Sequence, residues 1–285
     1  MPLPRGLVWI TGASSGIGWA TALLMARRGW DVAASARNVH ALDALMERHD
    51  AIRAYPLDVT DPVARVDIYE KIRNDLGPVD VLVNNAGYGL RGAVEEMEMH
   101  EIRSMFDLNL FAPIALSKLV LPEMRTRRSG RIINISSVVG RVAFPISGIY
   151  SSSKFALEGM SDALRMELMP WGVKVILVEP GPIRTRFAPT AKSMSESRLV
   201  DEESDYAPYY KRLLGGAIPS KNASWGASSV ADVIRLAAET DRPKDRYPVH
   251  TWAQWAPVIQ NLLPRAWLDK AFGFRFGLTT PASRP

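Results

Sequence analysis

The sequence predicts an α/β fold, a single doubly wound parallel sheet with helices on both faces. Short apolar runs rich in β-branched residues alternate with helix-length amphipathic segments. The short runs are almost continuously apolar, which is typical of parallel strands buried on both faces. The 285 residues are 47% hydrophobic, enough for one large core, and no repeat or linker divides the chain. Right-handed crossovers would place a ligand at the carboxyl ends of the strands.

The predicted strands are LVWIT (7–11), DVAASA (31–36), IRAYPL (52–57), VDVLVN (79–84), GRIINIS (130–136) and VKVILVE (173–179). Helical patterns occupy most of the intervals, at 17–28, 39–49, 62–76, 101–125 and 151–169. Residues 186–226 interrupt this alternation, because they are polar and rich in Ser, Pro and Gly. The pattern resumes with a helix at 227–240 and a short strand, RYPVH. We expect one domain over 1–250, with 186–226 as a lid, and an aromatic, basic extension over 251–285.

The composition argues against disulfides, metal sites and nucleic-acid binding. There is no cysteine, hence no disulfide or thiolate metal site, and the four histidines lack metal-ligand spacing, so no metal is expected. The net charge is +5, but the basic residues are dispersed, which favours a solvated surface over a nucleic-acid site. The first residues do not resemble a signal peptide, and we find no run of about 18 apolar residues. We therefore expect a cytoplasmic protein without a membrane span.

The segment TGASSGIG (11–18) follows the first strand and opens the first helix, the context of a Rossmann-type nucleotide site. Gly12 permits a tight turn, Gly16 a close approach of main chain to ligand, and Gly18 close packing of the helix. The helix N-terminus offers free N–H groups and partial positive charge to a pyrophosphate. The expected cofactor-binding residues of this loop are Gly12, Ser14, Ser15, Gly16, Ile17 and Gly18.

The end of the second strand predicts NADP(H) rather than NAD(H). Asp31 has the spacing of the acid that binds a ribose hydroxyl, but it precedes the strand and lies at the wrong edge of the sheet. The strand ends at Ala36 and Arg37, where no acid occurs. The Arg37 guanidinium is suited to bind the 2′-phosphate of NADP through paired hydrogen bonds.

Seven segments in order and spacing resemble the short-chain dehydrogenase/reductase family: TGASSGIG, LDVTD (57–61), NNAG (84–87), DLNLFA (107–112), NISS (134–137), YSSSK (150–154) and EPGPIRT (179–185). The resemblance covers roughly residues 5–187. It implies a catalytic tetrad of Asn109, Ser137, Tyr150 and Lys154. Ser137 is preferred over Ser136 because the family places its serine thirteen residues before the tyrosine.

The chemistry of these groups supports the assigned roles. Tyr150 and Lys154 are four residues apart, one turn on a helix, and a neighbouring ammonium lowers the pKa of a phenol from about 10. We interpret Tyr150 as the general acid–base and Lys154 as the group that tunes it and holds the ribose. Ser137 would hold the substrate oxygen. Asn109 has a helix-bending or water-holding role by resemblance only.

The resemblance also implies contacts to the rest of the cofactor. Asp58 and Val59 are expected to flank the adenine, and Asn85, Ala86 and Gly87 to pass beneath its ribose. The nicotinamide is expected to be covered by the segment containing Pro180, Gly181, Ile183 and Thr185.

The substrate is expected to be a small apolar carbonyl compound or its alcohol. NAGYGLRGAVEE (85–96) resembles the branch with retinol and 17β-hydroxysteroid dehydrogenases, and more closely its bacterial NADP-dependent aldehyde reductases. The lids of that branch admit apolar carbonyl compounds, so the resemblance implies a long-chain aldehyde, a retinal-like or a steroid-like substrate. Two alternatives are a non-enzymatic NADP-binding regulator on the same fold and an NAD-dependent alcohol or polyol dehydrogenase. The resemblance implies a homodimer or homotetramer through the helices at 101–125 and 151–169.

The extension has two interpretations. Residues 250–277 hold Trp252, Trp255, Trp267 and three phenylalanines, interleaved with Arg265, Lys270 and Arg275. The segment either lies on a membrane surface as a basic amphipathic helix, or docks over the lid or on a partner subunit.

Overall fold

The computed structural model describes residues 6–183, 191, 193–212, 225–249 and 251–278. These residues contain one seven-stranded sheet in the order β3-β2-β1-β4-β5-β6-β7, and every pair of neighbours is parallel. The strands are Leu7–Thr11 (β1), Asp31–Ala36 (β2), Ile52–Pro56 (β3), Val79–Asn84 (β4), Arg131–Ile135 (β5), Lys174–Glu179 (β6) and Arg246–Pro248 (β7). The doubly wound sheet is therefore confirmed, and its order reverses between β1 and β4, where ligands bind in such sheets.

The helices follow the strands in alternation. They are Gly16–Arg27 (α1), Val39–Met46 (α2), Pro62–Leu76 (α3), Met99–Phe106 (α4), Ala112–Arg127 (α5), Gly148–Glu167 (α6), Glu196–Leu199 (α7), Ala207–Arg212 (α8), Ala227–Glu239 (α9), Thr251–Leu262 (α10) and Arg265–Phe276 (α11). Both ends of α3 match the prediction, because the Asp61 carboxylate accepts hydrogen bonds from the first N–H groups and Gly77 ends the helix at φ 91°.

The predicted helix over 101–125 differs from the structure in two respects. A π-helical turn, Asp107–Phe111, separates α4 from α5. The helical run also begins earlier, at Met99, where the carboxylate of Glu98 and that of Glu101 form a capping box. Asn109 lies within this turn, and its side chain is buried.

Two apolar layers cover the sheet. On one face, α1, α2 and α9 contribute buried side chains that include Met25, Leu42 and Ile234. On the other face, Ile72 of α3 and Leu116 of α5 pack among side chains from the strands. The five inner strands, β1, β2, β4, β5 and β6, are buried on both faces, which explains their almost continuous apolar sequences, whereas the edge strands β3 and β7 expose some residues.

One helical stretch, Met99–Arg127, has the length and mean hydropathy (1.4) of a membrane span. It is not a continuous apolar run, because polar and charged residues such as Asp107 and Lys118 interrupt it. Of its most apolar part, 44% is buried inside the protein. Leu116, Val120 and Met124 lie in the core cluster of their sheet face, so these contacts account for the apolar composition as that of a core helix.

The C-terminal extension packs over the lid. Phe276 of α11 is buried in a cluster with Ile146, Leu199 and Tyr210. Phe272 packs at the edge of the same cluster. Docking over the lid, one of the two interpretations of the extension, is thus observed for this inner face of α11.

Candidate active site

A cavity of about 1510 Å³ opens at the carboxyl ends of the strands, where the strand order reverses. Residues after β1, β2, β4, β5 and β6 line one half, and side chains of the lid and of α11 line the other. The fold thus brings the predicted motifs, which are far apart in sequence, to one continuous site.

The glycine loop forms the start of this cavity. Gly12 and Gly16 have φ values of 67° and 56°, which disfavour other residues. A Cβ atom on Gly12 would lie 2.9 Å from the Cα atom of Ala86, and one on Gly18 would lie 2.4 Å from the carbonyl oxygen of Gly12. Gly18 is therefore a packing position, against the loop itself. Ser15 precedes α1 without a side-chain cap, so N–H groups of α1 remain for a ligand phosphate.

The NNAG segment after β4 is tied to the glycine loop through Thr11. The main-chain N–H groups of Asn85 and Ala86 donate to the Thr11 hydroxyl, each at 3.1 Å. The Asn85 amide donates to the carbonyl oxygen of Thr11 at 2.9 Å. A Cβ atom on Gly87 would lie 2.9 Å from Asn109 Oδ1, so this position requires glycine. These contacts hold the expected ribose-binding segment as a floor of the cavity.

Arg37 lies at the cavity end of β2 with 77% of its side chain exposed. Contrary to the expectation of an acid-free end, the Asp58 carboxylate lies 3.8 Å from its guanidinium. Sequence reasoning missed this because the two residues come from the ends of neighbouring strands. Thr60 donates both its N–H and its hydroxyl to Asp58, which holds the carboxylate in place. Arg37 is thus a loosely paired, accessible cation.

Asn109 connects three elements beneath the site. Its amide nitrogen donates to the carbonyl oxygen of Tyr88 at 2.9 Å and to the Ser153 hydroxyl at 3.1 Å. Its amide oxygen accepts the N–H of Tyr88 at 3.2 Å. The π-turn around Asn109 agrees with a helix-bending role, whereas the water-holding role stays a prediction.

Ser137, Tyr150 and Lys154 meet at the middle of the cavity. The Ser137 hydroxyl donates to the carbonyl oxygen of Pro180 at 3.3 Å and forms a hydrogen bond with Tyr150. The Lys154 ammonium donates to the carbonyl oxygen of Ile135 at 2.9 Å. Ser136 is buried toward Glu158, so the two serines face different neighbours, as alternation along a strand requires.

The electrostatics of the tyrosine are dominated by its burial. Burial raises the pKa of Tyr150 to about 12, against the opposing effects of the Ser137 hydrogen bond and the Arg91 charge. Lys154 is not among the described groups that lower this pKa, and its tuning role stays a prediction. Burial lowers the pKa of Lys154 itself to about 8, and the Glu158 carboxylate opposes that shift.

A buried charge network that sequence reasoning missed lies behind α6. The Arg246 guanidinium contacts carboxylate oxygens of Glu158 at 2.9 Å, Asp162 at 2.7 Å and Glu179 at 3.2 Å. Burial raises the pKa of Glu158 to about 7, and the Glu179 charge adds to the shift. Glu158 and Asp162 share one face of α6, but their contacts with Glu179 and Arg246 depend on the packing of α6 beside β6 and β7, which the sequence does not reveal.

The substrate half of the cavity is mostly apolar. Its walls include Leu90, Phe144, Met194, Phe272 and Phe276. Sequence reasoning placed aromatic residues in the lid and extension but did not assign these wall positions. Arg91 and the exposed Arg275 of α11 are cations that also border this half. Sequence reasoning assigned no site role to Arg91, because a single arginine between Leu90 and Gly92 is not a motif.

The remaining expected cofactor contacts are positioned by β3 and β6. Asp58 and Val59 line the cavity beyond β3, and Pro180, Gly181 and Ile183 line it beyond β6. Thr185 and the lid residue Phe187 lie outside the described residues. A nicotinamide dinucleotide fits this arrangement, because the glycine positions leave room for its backbone contacts and α1 leaves N–H groups for its pyrophosphate.

Comparisons with known proteins agree with this geometry. The family described as short chain dehydrogenase matches residues 6–196. The uncharacterized oxidoreductase YusZ of Bacillus subtilis is 37% identical, over 90% of this chain and 94% of its own length. An NADPH-dependent 3-dehydrocapnine reductase of Ornithobacterium rhinotracheale is 32% identical, over 92% and 94%. Human 17-beta-hydroxysteroid dehydrogenase type 1 is also 32% identical, over 92% and 82%.

A solved structure supports the fold independently. The crystal structure of a short-chain dehydrogenase from Streptomyces avermitilis has a TM-score of 0.79 and 32% identity, and it covers 98% of this chain and 100% of that one. With the family match, the sheet order and the converging site residues, the conclusion is that this chain belongs to the short-chain dehydrogenase/reductase family, an oxidoreductase family that binds a nicotinamide cofactor.

Proposed function

We propose that this protein is an NADP(H)-dependent reductase that converts an apolar aldehyde or ketone to the alcohol. One observation carries the proposal: Ser137, Tyr150 and Lys154 stand where the cofactor half of the cavity meets its apolar half. A carbonyl group bound there would lie between a nicotinamide and the two hydroxyl groups.

The residues divide the reaction between them. A bound cofactor supplies the hydride. The Ser137 hydroxyl, now on the carbonyl oxygen of Pro180, turns to donate to the substrate oxygen and polarises the carbonyl. Tyr150 then gives its proton to the oxygen as negative charge develops. Because burial raises the pKa of Tyr150 to about 12, the phenol carries its proton at neutral pH, which suits reduction.

Arg37 supports NADP(H) over NAD(H). Its guanidinium is exposed, and the carboxylate that pairs with it in the described part of the chain, Asp58, is 3.8 Å away, too long for a tight pair. A 2′-phosphate offers stronger, charge-assisted hydrogen bonds in the same place. The NADPH dependence in the name of the Ornithobacterium relative supports the same choice.

The apolar walls support the substrate class. Leu90, Phe144, Met194 and Phe272 surround the space beyond Tyr150 and offer few polar partners to a sugar or polyol. An alkyl chain or a fused-ring skeleton gains binding free energy in such a space, at about 0.8 kcal/mol per buried methylene. The long-chain aldehyde, retinal-like and steroid-like options share this requirement.

Two surfaces support proposals about partners. Phe111, Phe155 and Met166 are exposed on the helical segments that were expected to pair two subunits, and we assign them to contact with a second copy of the chain. Light scattering of the purified protein tests this assignment: a dimer or tetramer supports it, and a monomer that persists at micromolar concentration contradicts it.

The outer face of the extension supports a peripheral membrane contact for a protein of the cytoplasm. Trp267 and Phe274 are 67% and 79% exposed, beside Arg265 and Lys270. The side chain of Trp252 lies outside the described residues. In a flotation assay with anionic vesicles, the protein should rise with the vesicles, and a Trp267→Ser, Phe274→Ser double variant should remain in the unbound fraction. If the two proteins distribute equally, the membrane contact is contradicted.

A carbonyl panel tests the activity itself. Decanal, retinal, a steroid ketone and glucose are each incubated with NADPH or NADH, and cofactor oxidation is followed by absorbance. We expect turnover of apolar carbonyls with NADPH. Tight NADPH binding without turnover of any carbonyl would favour the non-enzymatic NADP-binding regulator. NAD-linked oxidation of polyols would favour the third alternative.

A further inference from the structure

Arg91 is a cation inside the substrate half of the cavity, and no acidic partner for it occurs among the residues that the structure describes. It follows the NNAG segment, is largely withdrawn from solvent and lines the cavity with Leu90. Among the described residues no carboxylate forms an ion pair with its guanidinium. The carboxylates that border the cavity, Asp58 and Asp107, do not pair with it either. A desolvated, unpaired guanidinium is costly, so its presence calls for a ligand.

The main chain around Arg91 is held rigidly by the lid. The N–H of Arg91 donates to the buried hydroxyl of Ser195 at 2.9 Å. The next two N–H groups donate to the carbonyl oxygen of Ile146 and to the Tyr210 hydroxyl, each at 2.9 Å. Arg198 donates to the carbonyl oxygen of Arg91 at 3.4 Å. The main chain that carries the guanidinium is thus held in place by hydrogen bonds on both sides of Arg91.

The position relative to Tyr150 sets the location of a ligand charge. Burial lowers the pKa of Arg91, and among the described residues the opposing charge comes from Tyr150. Both side chains line the same cavity. An anion held by Arg91 would therefore occupy the same cavity as a carbonyl group held by Tyr150.

We propose that Arg91 binds an oxyanion of the substrate, a carboxylate, sulfonate or phosphate, so that the preferred substrate is an amphiphile. Its acidic group lies a few bonds from the carbonyl group, and its alkyl chain lies along Phe144, Phe272 and Phe276. This inference rests on the proposed reductase function and specifies its substrate. The planar guanidinium forms paired hydrogen bonds with such groups, which a neutral alcohol or ester does not replace.

A different role for Arg91 predicts a different result. If its charge served only to lower the pKa of Tyr150, its removal would impair all carbonyl substrates alike and would move the pH profile of the reaction. If it recognises an oxyanion, its removal selectively impairs acidic substrates.

The experiment compares matched substrates. The probes are 2-oxo-, 3-oxo- and 4-oxododecanoate, each beside its methyl ester, with decanal as a carbonyl without either group. The variants are Arg91→Leu, Arg91→Lys and Arg275→Leu, which removes an exposed charge from the same cavity wall. Catalytic efficiency is measured from pH 6 to 9. Binding of decanoate is measured separately, as the shift that it causes in the thermal unfolding midpoint, so this readout does not depend on turnover.

The parent should reduce at least one of the keto acids at least tenfold more efficiently than its ester. Arg91→Leu should bring this ratio to about one and abolish the decanoate shift, Arg91→Lys should retain part of both, and Arg275→Leu should change the ratio less than threefold. A parent that reduces decanal and the esters but none of the acids overturns the inference and leaves the reductase proposal standing. If Arg91→Leu lowers the efficiency equally for acids and esters, Arg91 acts on the pKa of Tyr150 and the inference is wrong. If Arg275→Leu lowers the acid-to-ester ratio as much as Arg91→Leu does, the selectivity comes from the overall positive charge of the cavity and not from Arg91. A parent without turnover of any carbonyl contradicts the proposed function itself.

Discussion

The ammonium nitrogen of Lys154 lies 2.9 Å from the main-chain carbonyl oxygen of Ile135, the last residue of β5. This hydrogen bond joins α6 to the end of the sheet and fixes the ammonium one turn from Tyr150. Lys154 is 6% exposed, and its burial lowers its pKa to about 8. The Glu158 carboxylate, one turn further along α6, favours the charged form.

The first prediction follows from that pKa. In the free protein, NADPH affinity should fall as the pH rises through about 8, because neutral Lys154 loses its charge and a hydrogen-bond donor for the ribose. Glu158→Gln removes the carboxylate that favours the ammonium, so the fall should occur at lower pH. Fluorescence titration with NADPH from pH 6.5 to 10 measures both curves. Glu167→Gln, an exposed change on the same helix, should leave the curve in place; a coincident curve for Glu158→Gln would show that its charge does not reach Lys154.

The second prediction concerns the charge network behind α6. Arg246→Gln leaves Glu158 buried without its ion-pair partner and leaves Glu179 with Arg141 at 3.3 Å, which should lower the free energy of unfolding by about 3 kcal/mol at pH 8. Without the cation, the folded-state pKa values of both carboxyl groups rise further above their unfolded values. The missing stability should therefore shrink as the pH falls from 8 toward about 7, the pKa of Glu158 in the parent, and it should be small at pH 6, where Glu158 is protonated in both proteins.

Urea unfolding at pH 6 and pH 8 measures that difference. Arg235→Gln is the matched control, because Arg235 pairs with Glu239 at the surface of α9 and should contribute less than about 1 kcal/mol at either pH. A loss for Arg246→Gln that does not depend on pH would exclude the buried carboxylates as its cause.

The third prediction concerns cofactor choice. Arg37→Ala should raise the Michaelis constant for NADPH about tenfold or more and leave that for NADH nearly unchanged, because charge-assisted hydrogen bonds contribute about 1.5–3 kcal/mol. Steady-state kinetics with both cofactors measures the effect. Arg53→Ala, an exposed change on β3, serves as the control. Equal losses with NADPH and NADH would show that Arg37 does not bind the 2′-phosphate.

The fourth prediction concerns the apolar wall. Catalytic efficiency should rise roughly fourfold per methylene from short to medium-chain aldehydes and then level off. Phe272→Ala should flatten this rise, because Phe272 lines the cavity and packs edge-on against Phe144 at a centroid distance of 5.1 Å. Phe274→Ala, on the same helix but facing solvent, should preserve it. An efficiency independent of chain length in the parent protein contradicts an apolar binding site.

Local signals account for the parts of the fold that sequence reasoning predicted. The ends of α3 are set by Asp61 and Pro62 at its start and by Gly77 at its end, and each of these residues affects only the neighbouring main chain. The strands follow from apolar runs that depend only on burial of both faces. The π-turn at Asn109 was not predictable, because one extra residue barely alters the helical pattern and the turn depends on amide contacts to Tyr88 and Ser153.

The candidate site divides in the same way. The glycine loop and the Tyr150–Lys154 pair could be predicted from the sequence, because residues close in sequence determine their geometry. The pairing of Arg37 with Asp58 and the position of Arg91 were not, because both depend on which strands and lid segments become neighbours in space. The raised pKa of Tyr150 likewise depends on burial, which spacing along a helix does not reveal.

The account depends most on Tyr150 as the proton donor in carbonyl reduction, and turnover of Tyr150→Phe with NADPH tests this most directly. The variant loses only the phenolic oxygen, so NADPH affinity and the unfolding midpoint serve as controls and should match those of the parent. We expect the rate of decanal reduction to fall at least about 100-fold, the usual contribution of a positioned acid. A variant that binds NADPH normally and reduces decanal within a few-fold of the parent rate would contradict the account.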